Sequence, residues 1–186
     1  MHKVFVAAVA ACALASLAAC DTTTAVAPYT ASTPNVLAFQ SALKPGGSSV
    51  KVGDFTSTAS GKPSCRLAGE LDVTAGKSYG EFIKSALQTE LFTAQVYDVN
   101  SPVIISGNVD EVKVNTFGTG SWTLGLQVTS NRDPVGYHVQ VVHNFASSYS
   151  AVSACRNATA SFAPTVQDLL GQVVNNPGFA KLAGKG

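Results

Sequence analysis

Between Ser121 and Ser130 the chain alternates without a break: Trp122, Leu124, Leu126 and Val128 fall on one side, Thr123, Gly125, Gln127 and Thr129 on the other. Successive side chains of a strand point to opposite faces, so this segment demands a sheet with one buried and one wet face. Parallel sheets are covered on both faces and read as continuous apolar runs, so the alternation points to antiparallel pairing. After a turn at Asn131-Arg132-Asp133-Pro134-Val135-Gly136, the residues Tyr137, Val139, Val141 and Phe145 repeat the pattern. Upstream, Val103–Thr116 reads as another strand. Its apolar set shifts from Val103/Ile105 to Val112/Val114, which places a bulge around Ser106-Gly107. Phe117-Gly118-Thr119-Gly120 forms the hairpin turn between these two strands.

The flanking segments supply what must cover the apolar face. Val50-Lys51-Val52-Gly53-Asp54-Phe55 reads as a first strand, and the Ser/Thr/Gly-rich stretch 56–76 carries a short strand around Glu70–Thr74. Tyr79–Ala94 reads as an amphipathic helix with Phe82, Ile83, Ala86, Leu87 and Leu91 on one face. Near the C-terminus, Cys155, Thr159, Phe162, Val166, Leu169, Leu170, Val173 and Val174 keep a helical period, with Pro164 starting a helix or kinking a longer one. Asn175-Asn176-Pro177-Gly178 stops it. The expected fold is therefore α+β: an antiparallel sheet of about four strands in the order β-α-β-β-β-α, with two helices packed on one face. This single domain is expected over residues 49–186, a size that buries a real core.

Composition matters most at the N-terminus. The chain is 46% hydrophobic and only 12% charged, with 12 Lys+Arg against 11 Asp+Glu, which excludes a disordered polyelectrolyte and a nucleic-acid binder. Much of the apolar excess lies in residues 1–20. His2 and Lys3 precede a run from Val4 to Ala19 in which Ser16 is the only polar side chain. The run is shorter than the about 20 apolar residues of a spanning helix. It has the proportions of a secretory signal. It closes on Leu17-Ala18-Ala19-Cys20, which resembles the lipobox of bacterial lipoproteins. That resemblance implies removal of residues 1–19, acylation of Cys20, and membrane attachment through acyl chains. More than one chain gives stable anchoring. Val9-Ala10-Ala11-Cys12 fits the same pattern but leaves a minimal apolar run before it, and an uncleaved membrane anchor is the other alternative. Asp21, directly after Cys20, resembles the inner-membrane retention signal of enteric lipoproteins; bacteria differ in how they read this position, and both membranes stay open. Residues 20–48 read as the lipidated cysteine and a tether, DTTTAVAPYTASTP, followed by a short helix within NVLAFQSAL.

Removing residues 1–19 takes away Lys3 and leaves the cations equal to the 11 Asp+Glu. It also leaves Cys65 and Cys155, an even pair in an exported context where disulfides persist. Joined, they close a long loop, worth up to roughly 4–5 kcal/mol in the chain-entropy model. The alternative is a reactive thiol, because Arg66 and Arg156 each follow a cysteine and would favour the thiolate.

Several motifs bear on chemistry. Gly76-Lys77-Ser78-Tyr79-Gly80 matches the G-x-S-x-G nucleophile elbow, with Asp110 or Asp133 and His138 or His143 available as partners. That elbow belongs to a parallel sheet of βα units, which the meander is not. Ser78 as N-cap, with Glu81 three residues on, is the competing reading. The same Gly-Lys-Ser resembles the end of a phosphate-binding loop, but Leu71 stands where that loop needs glycine. His138 and His143 are an odd number of residues apart on one strand and so face opposite ways. His143 lies on the apolar side and is read as a hydrogen-bonded core histidine. Asp110-Glu111 has no neighbouring His or Cys, and no metal site or cofactor is expected. Trp122 is read as a core anchor, with an interface role as the alternative.

The order strand, helix, three-strand meander, helix resembles small Gram-negative periplasmic lipoproteins, notably the YajG-like and ABC-transport auxiliary lipoproteins, and more distantly the lipopolysaccharide-assembly lipoprotein. The segments that carry the resemblance are Ser78–Leu91, Ser121–Thr129 and Cys155–Leu170. It implies a non-catalytic cell-envelope protein facing the periplasm, a binding or assembly accessory that uses a sheet edge or polar sheet face on an envelope partner. The alternatives are a periplasmic serine hydrolase using Ser78, and a carrier of a small apolar or lipid ligand.

Overall fold

The computed structural model describes residues 26, 28–66 and 69–185; Cys20 and Asp21 lie outside the described residues. Eight elements follow one another: α1 (Thr33–Leu43), β1 (Lys51–Ser57), α2 (Tyr79–Thr93), β2 (Ile104–Asn115), β3 (Gly120–Ser130), β4 (Tyr137–Phe145), α3 (Ala151–Asn175) and α4 (Phe179–Leu182). The four strands form one open sheet in sequence order, giving the α+β fold with β-α-β-β-β-α at its centre. β2, β3 and β4 pair antiparallel through tight turns, whereas β1 pairs parallel to β2, so the sheet is mixed. The parallel pair follows from connectivity: α2 is a crossover that carries the chain back before β2 begins, where a hairpin would have reversed it.

The alternation in β3 sets the core. Trp122, Leu124, Leu126 and Val128 are almost fully buried, under Phe162, Val166, Leu169 and Leu170 of α3. Trp122 is a core anchor: its Nε1 donates to the Ala158 carbonyl at 2.8 Å, and its ring meets Phe162 edge-on at 5.1 Å. α2 buries Ile83, Ala86, Leu87 and Leu91 over β1 and β2. Pro164 sits inside α3 without ending it. Buried side chains on both sides of the proline hold the helix together across the missing backbone bond.

Three local features differ from the expectations. The register shifts twice: between β1 and β2 it does so opposite Ser106, with the extra residue on β1 between Val52 and Phe55, and between β2 and β3 it falls at Asp110, between Val109 and Glu111. Gly107 also makes room: a Cβ there would stand 2.6 Å from the Phe55 ring. Glu70–Thr74 forms no strand, only a single bridge between Ser64 and Glu70. The Asp72 carboxylate accepts from the amides of Thr74 and Gly76 and curls the chain into a turn.

The third difference is at the start of the domain. The packed unit begins near Tyr29, before Ser49, because α1 joins the helical layer. Phe39 and Leu43 are fully buried, and Phe39 meets Phe179 edge-on at 5.8 Å. Lys185 donates to the carbonyls of Ala42, Leu43 and Pro45 and so places a cation at the C-terminal end of α1. At the other end of α1 stands a buried carboxylate. Glu90 Oε1, from α2, accepts from the Tyr29 hydroxyl at 2.6 Å, the Ser32 amide at 2.9 Å and Asn35 Nδ2 at 3.3 Å. Burial, followed by the Glu90 hydrogen bond, pushes the Tyr29 hydroxyl far above its ordinary range. Gln167 of α3 adds a bond to the Thr30 carbonyl.

Candidate functional site

Each residue of the G-x-S-x-G pattern has a structural task. Gly76 takes φ +79° in the turn before α2. Ser78 is the N-cap: its Oγ accepts from the Glu81 amide at 3.2 Å while Glu81 Oε2 accepts from the Ser78 amide at 2.9 Å. The Ser78 hydroxyl itself donates to Glu81 at 2.8 Å. These bonds, the backbone one first, hold the Glu81 carboxyl below its ordinary value. Gly80 lets α2 approach β1, since a Cβ would stand 2.5 Å from the Phe55 carbonyl oxygen. Ser78→Ala is expected to cost about 1 kcal/mol of stability as a lost cap, read as a small shift in the urea midpoint. A loss of several kcal/mol, or covalent labelling of Ser78 by a serine-directed probe, would contradict the capping role.

The other members proposed for that motif go elsewhere. His138 meets Asp110 at 3.1 Å on the open face of the sheet, the side away from α2 and Ser78. His143 lies on the covered side, where its Nδ1 is 2.7 Å from Asp168 Oδ2 of α3 at the rim of the core. Asp133 is buried and pairs with Lys181 at 2.9 Å, which lowers its pKa below the usual carboxylate range.

The Asp110–His138 pair belongs to a polar cluster on the open face. The bulge brings both Asp110 and Glu111 to bear on Gly125 of β3, and the missing side chain at Gly125 lets β2 groups reach β4 groups across the central strand. Glu111 accepts from Gln140 of β4 and from Lys113, at 2.5 Å for the latter. The Lys113 bond is the larger reason that the Glu111 carboxyl sits below its ordinary value. Ala59, Ser60, Asp110, Glu111, Lys113 and His138 edge a shallow hollow of about 480 Å³. Its groups of both signs are partly satisfied among themselves, which suits hydrogen bonding to a polar segment. Among the described residues, no group of three His, Cys, Asp or Glu is arranged to hold a metal ion. Also among them, no helix is long and apolar enough to cross a membrane.

Cys65 and Cys155 are joined by a disulfide, with Cα atoms 5.7 Å apart. Beside it, Arg66 has a role other than activating a thiol. Its guanidinium donates to the carbonyls of Thr116 (2.5 Å), Ser148 (2.7 Å) and Tyr149 (3.1 Å) and to Ser147 Oγ (3.3 Å). It also lies 5.0 Å from the Phe117 ring centre. One side chain thus ties the 58–78 segment to the β2–β3 turn and the β4–α3 connection. Sequence reasoning missed Arg66 in this role, Glu90 and the gap at Gly125. The visible signal for Glu90 was a carboxylate next to Leu91 on the apolar side of α2.

Comparison with protein-family models finds no match, and no curated protein matches. Among solved structures, one from Xanthomonas campestris, described under the family model DUF330, is similar at 12% identity. The match covers 68% of this chain and 83% of that chain, with a TM-score of 0.45.

Proposed function

We propose that this chain is a lipid-anchored cell-envelope protein, acylated on Cys20 after removal of residues 1–19, whose domain faces the periplasm as a non-catalytic binding or assembly accessory. The observation that carries the reading is Leu17-Ala18-Ala19-Cys20 at the end of a short apolar run, a short distance ahead of a domain that starts to pack at Tyr29. Asp21 stands at the position that sorts lipoproteins between inner and outer membranes. The likeness to YajG-like and ABC-transport auxiliary lipoproteins belongs to the same reading. Against the hydrolase alternative, Ser78 is committed to Glu81 and separated by the sheet from His138. The polar hollow around Gly125 and the edge of β4, unpaired among the described residues, are the surfaces offered to an envelope protein partner, since such a strand edge can accept another chain.

Cys20→Ala in the full chain is expected to move the protein from the membrane fraction to the soluble fraction, with loss of acyl mass on the mature N-terminus. Retention of the variant in the membrane fraction would overturn the anchoring.

A further inference from the structure

We propose that the end of the domain bearing Phe117, Tyr149 and Val152 seats on the bilayer that holds Cys20, with these side chains entering the headgroup–acyl boundary. The proposal rests on the anchoring reading above.

Topology brings the three residues to one end. α2 returns the chain from β1 to the parallel strand β2, and β4 runs parallel to β2 before α3 turns back. The N-terminal ends of α2 and α3 therefore lie at the same end of the sheet as the β2–β3 turn and the β4–α3 connection. Phe117, Tyr149 and Val152 stand there with 66%, 107% and 63% of their surface exposed. Phe117 and Tyr149 line one groove with Arg66, Ser147 and Ser148. Tyrosine and phenylalanine with a hydroxyl-rich surround suit the interfacial zone of a bilayer.

The path of the chain supplies the occupant. The Ser32 amide sits at Glu90, whereas the Tyr29 ring lies against Phe82, nearer the start of α2, at 6.4 Å. Traced backwards, residues 32 to 29 therefore run toward that same end. From Tyr29 to Cys20 the chain spans at most about 30 Å fully extended. An acyl-anchored Cys20 keeps the domain within that reach of the lipid, and Tyr29, where packing on α2 begins, lies toward the exposed end.

The patch is also held in shape before any contact. Arg66 fixes the carbonyls of Thr116, Ser148 and Tyr149 together and packs on Phe117. A surface already ordered loses little conformational freedom on docking.

The test uses the full chain, acylated in a Gram-negative host and reconstituted into vesicles of phosphatidylethanolamine and phosphatidylglycerol, with and without brominated acyl chains. Phe117→Trp and Tyr149→Trp place a reporter on the patch, Phe92→Trp places one at the far end of α2, and buried Trp122 supplies a common background. Insertion to the acyl boundary predicts that the added emission at 117 and 149 falls by roughly half in brominated vesicles, with position 92 unchanged. Equal responses at all three positions, or none, overturn the proposal while leaving the anchoring intact. Failure of the protein to sediment with vesicles at all overturns the anchoring and the proposal with it. Photocrosslinking from position 149 in cells gives a second readout: capture of lipid supports the seating, and capture of a protein instead overturns it.

Discussion

Cys65→Ala with Cys155→Ala is expected to lower the stability of the folded chain by up to about 4–5 kcal/mol, the chain-entropy value for a loop of this length. The two cysteines are 90 positions apart, so the bridge closes about half of the chain in the unfolded state. Such a loss is a large share of the about 5–15 kcal/mol typical of a domain. It has a local consequence as well. The bridge pins the 58–78 segment, which among the described residues has no strand pairing of its own beyond one isolated bridge, onto the first turns of α3. Freed, that segment carries Arg66 away from Thr116, Ser148 and Tyr149, so the exposed end should loosen before the sheet does. Urea titration of oxidised and reduced protein, followed by Trp122 emission, measures the global effect, and hydrogen exchange at residues 116–120 and 147–152 measures the local one. An unchanged midpoint on reduction would sink the stabilising role. Exchange rising equally in β3 would sink the local one.

Glu90→Leu is expected to cost roughly 2–4 kcal/mol, because it strips the acceptor from three donors whose unmade bonds cost about 1–3 kcal/mol each when buried, part of which relaxes as the segment opens. Leucine fills much of the volume but accepts nothing from Tyr29, Ser32 or Asn35. The start of α1 is then expected to leave the α2–α3 layer. Glu90→Gln keeps an amide oxygen for the same donors and should retain the packing, so the comparison isolates the loss of the acceptor. Limited proteolysis between residues 28 and 43 reads the difference directly. The two variants being cut equally fast, or neither faster than the parent protein, would contradict the clamp.

Most of the α+β fold could be read locally. β3 announced its two faces through Trp122 to Thr129, and Ser78 with Glu81 announced the start of α2, because a strand's alternation and a helix's cap are properties of adjacent residues. The disulfide could be read from an even cysteine count. The parallel pairing of β1 was hidden, since Val50–Phe55 gives the same short alternation in either direction. A glycine inside a strand marks either a bulge or a close approach, so the sequence alone leaves the role of Gly107 undecided. Only the Phe55 ring over it decides for the approach.

Neighbouring residues and the cysteine count alone suffice for the one-sided sheet, the helices that cover it, the paired cysteines and the resemblance of the first 20 residues to a lipoprotein signal. Where the domain begins, what Arg66 holds and which residues share an exposed end emerge from packing. Tyr29 is 61 positions from Glu90, and Arg66 is 83 from the Tyr149 carbonyl. Periodicity carries no information over such separations. A buried carboxylate or a half-buried guanidinium takes its partners from whichever segments the packed helices and turns bring beside it, and those segments meet only when the chain has folded.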